Sequence, residues 1–243
     1  MNKTVVVVQA RMRSERLPGK VMKQFAGRPM LQFLLDRLRL AKSVDTIIVA
    51  IPDGKADDRL ARALSSWDAE VHRGPEEDVL TRVMGAVQLR DAEVVVRVTA
   101  DNPFTDPDIL DGTVAALKQQ QVDYLCPAGV PTGTATEAIR LEALDRAFRT
   151  ATAPEEREHV TLHICRRPDE FRIGHWQVDL GTIIDDLVRL TVDEPRDLKM
   201  VRKLAKHLGP YACKATLPEI LTVFAERPGL AEINRFVEQR VFP

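Results

Sequence analysis

The chain has 243 residues, 44% of them apolar and 29% charged, with a net charge of −1. That length suits one large α/β domain and is short for two independent ones, while the balance excludes a disordered chain and the near-zero charge excludes a general nucleic-acid binder. No apolar run approaches membrane-spanning length and no leader pattern opens the chain, so a cytoplasmic protein with no membrane partner is expected.

Residues 4–9 (TVVVVQ) are a short β-branched run, read as a strand buried on both faces. A polar loop containing Gly and Pro covers 10–29. Residues 30–41 then carry apolar side chains at helical spacing through Met30, Leu34, Leu38 and Ala41. A second buried strand spans 46–51, a helix 57–67, a short strand 70–72, a helix 78–90 and a third strong strand 93–99. Pro107 opens a helix over 107–121, a favoured first position. This β-α-β-α-β-α alternation argues for a parallel, doubly wound sheet covered on both sides: a three-layer α/β fold.

The second half is less regular. It reads as a strand at 123–125, a Pro/Gly/Thr loop at 127–136 and helices at 141–150 and 154–167. A strand at 171–178, possible arm or subdomain material, precedes a strand at 187–192 that delivers Asp193. A helix over 195–208 stops at Gly209-Pro210, and amphipathic stretches follow at 217–227 and 229–240. We read one domain over 1–243: a nucleotide-binding half (1–122), an acceptor and dimer region (123–190), and a C-terminal part (191–243).

Charge is uneven. Residues 1–30 hold seven cations (Lys3, Arg11, Arg13, Arg16, Lys20, Lys23, Arg28) against one anion, Glu15. A local cationic loop in a neutral protein suits a small polyanion better than a nucleic-acid track. Cys126, Cys165 and Cys213 are odd in number and widely spaced, which fits reduced thiols and no zinc site or disulfide framework.

The segment Gln9-Ala10-Arg11-Met12-Arg13-Ser14-Glu15-Arg16-Leu17-Pro18-Gly19-Lys20 follows the first strand, at the sheet edge where open α/β sheets bind ligands. A triphosphate needs guanidinium forks, an ammonium and backbone amides, and this loop supplies all three. Small Ala10 and Gly19 permit close backbone approach. Neither GxxxxGK[ST] nor GxGxxG occurs, and by composition alone a solvated basic loop is an equal reading. Asp101 and Asp193 each follow a predicted strand. By spacing alone, Asp101 reads as a turn residue before Asn-Pro or a metal ligand, and Asp193 as a helix cap or a metal ligand.

The stretch QARMRSERLPGKVM resembles the signature of cytidylyltransferases that activate acidic sugars, such as the 3-deoxy-manno-octulosonate and acylneuraminate enzymes. It is most similar to their relatives, the spore coat polysaccharide biosynthesis protein F family. Matching stretches continue in order along the chain: RGPEEDVLTR, VRVTADNPFTDP, EREHVT and LTVDEPRDL. The resemblance implies a Rossmann-like nucleotidyltransferase fold that moves CMP from CTP onto an anionic sugar-like acceptor, with Mg²⁺ as cofactor and a possible homodimer. It implies that Ala10, Arg11, Ser14, Arg16 and Lys20 hold the triphosphate, with Arg11 and Lys20 catalytic. It makes Asp101 and Asp193 the metal ligands. Arg73, Gly74 and Arg82 are nucleotide candidates, although Arg82 and Asp78 also have the spacing to pair across one helical turn. Glu137, Arg157 and His159 are acceptor candidates, and a structural role is the default for His159. The sugar-acid enzymes carry Gly-Asp-x-Pro where this chain has Thr99-Ala100-Asp101-Asn102-Pro103, so acceptor identity does not transfer with the resemblance.

Overall fold

A computed structural model describes residues 3–88, 90–181 and 188–238. Its centre is a seven-stranded sheet of β1 (Lys3–Gln9), β4 (Thr46–Pro52), β5 (Glu70–Gly74), β6 (Ala92–Thr99), β7 (Tyr124–Ala128), β8 (Glu137–Arg140) and β9 (Ile173–Gln177), in the order β5-β4-β1-β6-β8-β7-β9. Only β8 runs against its neighbours; all other pairings are parallel. A two-stranded ribbon, β2 (Gln24–Phe25) with β3 (Arg28–Pro29), lies in the long loop after β1.

Parallel central strands are covered on both faces, so they read as continuous apolar runs rather than alternating ones. Val6, Val8, Val94, Val96 and Val98 pack on one face against α1 (Met30–Leu38), α2 (Asp58–Ser66) and α4 (Pro107–Gln120). Val5, Val7, Ile48 and Val95 pack on the other face. Their partners are α3 (Val79–Val87), α5 (Leu141–Thr150) and α7 (Leu162–Cys165). A third apolar cluster joins α8 (Pro195–Leu208) and α9 (Leu217–Glu226) to Phe25, Phe33 and Phe104, whose rings meet edge to face. Arg37 ties this cluster to the sheet. Fully buried, it donates to the carbonyls of Thr105, Cys213 and Ala215 and lies 3.7 Å from Asp106.

The second half departs from the sequence reading in four places. Strand β8 was not expected; at four residues it is too short for its alternation to register. The expected helix over 154–167 is two short ones, α6 (Pro154–Glu158) and α7, broken at His159–Thr161. The expected strand over 187–192 begins at Leu187, outside the described residues, and from Val188 onward it is extended chain rather than a sheet strand. It makes one bridge, Thr132 to Arg189, and its amides bond the loops: Leu190 N to Thr132 O at 2.8 Å, Val192 N to Asp101 O at 2.8 Å. The stretch expected at 229–240 opens as a 3₁₀ turn, Pro228–Ile233, and its last two residues lie outside the described ones. Among the described residues, no helix is long and apolar enough to cross a membrane.

Candidate active site

Strands β1 and β6 end side by side, Gln9 opposite Thr99. Above those ends opens a cavity of about 640 Å³. The loop after β1 forms one wall. Its fold is set by backbone contacts: Gly19, at φ +66°, sends its N–H to Met12 O at 2.9 Å, and Met12 N bonds the buried Asp57 carboxylate at 2.6 Å. Burial pushes the Asp57 carboxyl upward, against the Met12 amide. The loop thereby presents Ala10, Arg11, Arg13, Ser14, Arg16 and Lys20 to the cavity. Arg82 enters from α3. Burial first, and the nearby Arg11 charge second, pull its pKa down. Two cations held close enough to disfavour one another call for an anion between them.

Lys20 joins that loop to two carboxylates from elsewhere in the chain. Its ammonium lies 2.8 Å from Asp101 Oδ2, 3.1 Å from Asp193 Oδ1 and 2.9 Å from the Val192 carbonyl. Asp101 is carried by the turn after β6. Burial opposes its charge, but Lys20, with Thr99, holds the carboxyl below the usual range. Asp193 is also gripped by Arg189 at 2.6 Å and Arg16 at 3.3 Å. The two carboxylates therefore share one cation and both line the cavity. Among the described residues, no group of three or more His, Cys, Asp or Glu converges. Two convergent carboxylates fit a divalent ion that takes its remaining ligands from phosphate and water, as Mg²⁺ commonly does. All three cysteines are free.

Of the sequence-predicted residues, Ala10, Arg11, Ser14, Arg16, Lys20, Arg82, Asp101, Asp193 and His159 line this one cavity. Arg73, Gly74, Glu137 and Arg157 do not. Arg73 pairs with Asp58 at 2.8 Å and donates to the carbonyls of Asp53 and Gly54. Gly74 has Arg82 against it: a Cβ there would stand 3.2 Å from Arg82 Cα, so its smallness serves β5–α3 packing. Arg157 is held by Asp78 at 2.7 Å, Thr81 and the Phe148 carbonyl, and it takes the Asp78 partner that spacing offered to Arg82. Arg82 instead donates to the carbonyls of Pro75 and Glu76. Glu137 accepts from Arg97, the Tyr124 hydroxyl and the Thr161 hydroxyl; burial opposes its charge, but these partners hold its carboxyl below the usual range. These four serve the frame of the site rather than its inner surface.

Sequence reasoning gave no site role to Arg97, Thr132 and Thr191 in the lining, or to Asp57 and Arg189 behind it, and it reached Gln9, Gly133 and Glu158 only as members of longer stretches. Arg97 and Arg189 did leave a signal: each is a single arginine inside an apolar run, VVVRVT and LVRLTV. The Asp106-Pro107-Asp108 spacing, which a nucleotide-sugar enzyme would use as a metal motif, lies elsewhere. Asp106 caps α4 through Asp108 N and Ile109 N and sits beside Arg37.

The chain matches a cytidylyltransferase family profile over residues 5–242. It is 30% identical over 236 residues to the spore coat polysaccharide biosynthesis protein SpsF of Bacillus subtilis, covering 95% of this chain and 98% of that one. It is 32% identical over 245 aligned positions to a 3-deoxy-manno-octulosonate cytidylyltransferase of Geobacter sulfurreducens, covering 98% and 86%. A cytidylyltransferase structure from Leptospira borgpetersenii superposes over the full length of both chains with a TM-score of 0.89 at 23% identity, so the mostly parallel sheet is that of a nucleotidyltransferase. With profile and curated relatives agreeing nearly end to end, the chain belongs to the cytidylyltransferase family and is a nucleotidyltransferase.

Proposed function

We propose that this enzyme moves CMP from CTP to an anionic sugar-like acceptor, releasing pyrophosphate, in the building of surface polysaccharide or glycoconjugate. The observation behind the reading is the meeting of the Arg11–Lys20 cations with Asp101 and Asp193 around one cavity. Arg11, Ser14, Arg16 and Lys20 take the triphosphate, with Ala10, Val79 and Arg82 toward the nucleoside. The acceptor approaches from the side of Gly133, Glu158 and His159. Its oxygen attacks the α-phosphorus in line, and the bond to the β-phosphate oxygen breaks. Arg11 and Lys20 face the charge that grows on the leaving pyrophosphate, where fixed cations stabilise the transition state most.

Asp101 and Asp193 would hold Mg²⁺, which when bound supplies charge neutralisation on the phosphate oxygens and a template for both partners. Lys20 holds those carboxylates before substrate arrives, and the incoming triphosphate gives its ammonium a new partner. Burial pulls the His159 pKa down, which favours the neutral ring, a form that can accept a hydrogen bond from the acceptor. The names of the relatives support a sugar acid or a polysaccharide precursor as acceptor. A homodimer is part of the same reading; light scattering at the monomer mass would end it.

The decisive experiment is a pyrophosphate-release screen of CTP, UTP, ATP and GTP against sugar acids, polyol phosphates and phosphonates, with Asp101→Ala as control. CTP-specific release that vanishes in the control is the expected result. Release at an unchanged rate in Asp101→Ala would remove the metal assignment. Absence of release from every nucleotide and acceptor would remove the reaction.

A further inference from the structure

Arg97 sits inside β6, flanked by Val95, Val96 and Val98, all buried. Its side chain rises along the sheet face that carries α3 and reaches the cavity floor. Two partners orient it. Nη1 donates to Glu137, and Nε donates to Gln9 Oε1 at 3.2 Å. Glu137 is itself pinned by Tyr124 and Thr161, so the guanidinium is fixed from behind.

The contact to Gln9 has a consequence. An arginine only donates, so the Gln9 amide must turn its oxygen to Arg97 and its NH₂ away from it. That Nε2 is buried and has no hydrogen-bond partner among the described residues, while Gln9 lines the cavity. A buried donor without a partner is unfavourable unless something else accepts from it. Gln9 Nε2 and the remaining N–H groups of Arg97 thus form a locked, donor-only edge at the ends of β1 and β6.

We infer that Gln9 and Arg97 seat a carboxylate of the acceptor and so decide acceptor class, an inference that rests on the transfer reaction proposed above. The donors to the triphosphate come from the loop after β1, with Arg82 toward the nucleoside. Arg97 is held by Gln9 of β1 and by Glu137 of the second half, and it shares the cavity with Glu158, His159 and Gly133. Charge distinguishes a carboxylate from a phosphate. Glu137 pairs with Arg97 and the Asp101 carboxylate also acts on it, so this edge, unlike the cationic loop after β1, disfavours a dianion and tolerates a planar monoanion that can take two parallel N–H groups.

The test is calorimetric titration of the full chain with gluconate, glucuronate and pyruvate as carboxylate probes. Sorbitol serves as neutral probe and glucose 1-phosphate as dianion. Titrations are run with and without Mg²⁺ and a non-hydrolysable CTP analogue. The variants are Gln9→Met, which removes the donor and leaves the ion pair, and Arg97→Lys, which keeps a cation on Glu137; unfolding curves check that each is folded. The wild type should bind at least one carboxylate probe in preference to sorbitol and glucose 1-phosphate. Each variant should weaken that binding by about tenfold or more, with CTP-analogue affinity held within about twofold. The inference is overturned if no carboxylate probe binds the wild type, if the phosphate probe is preferred, if the variants bind carboxylate as the wild type does, or if CTP-analogue affinity falls in parallel. Failure of the CTP analogue to bind the wild type would instead count against the transfer reaction, and the nucleotide-free titrations score the carboxylate seat independently.

Discussion

Lys20 Nζ lies 2.8 Å from Asp101 Oδ2, and the same ammonium reaches Asp193 Oδ1 at 3.1 Å. In the proposed reaction Lys20 would neutralise the phosphates and the carboxylate pair would hold a cation, and neither role is open to them while they are bound to each other. Nucleotide and metal binding should therefore be coupled, since the triphosphate draws Lys20 off the carboxylates that the metal needs. In Lys20→Met, nucleotide-free protein should bind Mn²⁺ about tenfold more tightly than wild type, while CTP binding weakens by a similar factor. Electron paramagnetic resonance of free Mn²⁺ reads the first quantity and calorimetry the second. Weaker Mn²⁺ binding in the variant would show that Lys20 supports the site instead of occupying it.

Asp101→Asn should lower kcat by at least about a hundredfold, because one of the two carboxylates proposed to hold Mg²⁺ loses its charge. The thermal midpoint should change little by comparison, since the Lys20 ammonium retains Asp193 and the Val192 carbonyl. Steady-state kinetics across a Mg²⁺ series, beside a melting curve, separates the two effects.

Gly133 is held at φ +93°, and a Cβ there would fall 2.4 Å from the Thr191 amide nitrogen. Gly133→Ala must push away the extended segment that delivers Asp193. A loss of about 1–3 kcal/mol in stability is expected from overpacking, with a larger fractional loss in activity as the two aspartates separate. Urea unfolding and kcat measured on the same preparation test this; an active, equally stable variant would contradict the close approach.

Glu137 gives the pH prediction. Its folded-state pKa is lowered, so its share of stability is fully present above the unfolded value of about 4.3 and is lost as pH falls through the lower folded value. Near pH 7, Glu137→Gln should destabilise by about 3 kcal/mol, because Arg97 is left without its counter-ion. Below about pH 4 the gap between wild type and variant should close as the wild-type carboxyl takes up a proton. Urea midpoints at pH 3, 4, 5 and 7 would display the convergence; a constant gap would exclude ionic pairing as its source.

Arg37 is fully buried and touches no part of the cavity lining. Arg37→Met takes the donor from the carbonyls of Thr105, Cys213 and Ala215 and the counter-charge from Asp106, which keeps only its backbone amides, for a loss of about 3–5 kcal/mol. CTP affinity of the folded fraction should match wild type in calorimetry below the melting range.

Elements with strong local signals were legible without coordinates. The buried valine runs of β1 and β6 and the Pro195–Leu208 helix with its Gly209 stop could be read from residue order, because both sides of a parallel strand are covered and a proline-to-glycine interval bounds a helix. Strand β8 could not: its pairing with β6 joins Glu137 to Arg97 across 40 residues, and nothing in EAIR announces it. The same limit applied to Arg73 and Arg157. Their positions in matching motifs suggested ligand contacts, while their actual neighbours, Asp58 and Asp78, could be identified only in three dimensions.

Residue order alone determined the family, the alternating α/β layers and the cationic loop, because each is written in local pattern or in short contiguous motifs. Tertiary structure decided which charges face the cavity and which are tied up behind it. That choice depends on side chains far apart in sequence competing for the same partners: Lys20 for Asp101 and Asp193, Arg157 for Asp78, Arg97 for Glu137. Whether a guanidinium or a carboxylate faces the cavity or is held behind it depends on which distant partners the fold brings to it, and that is a property of the packed chain, not of any segment of it.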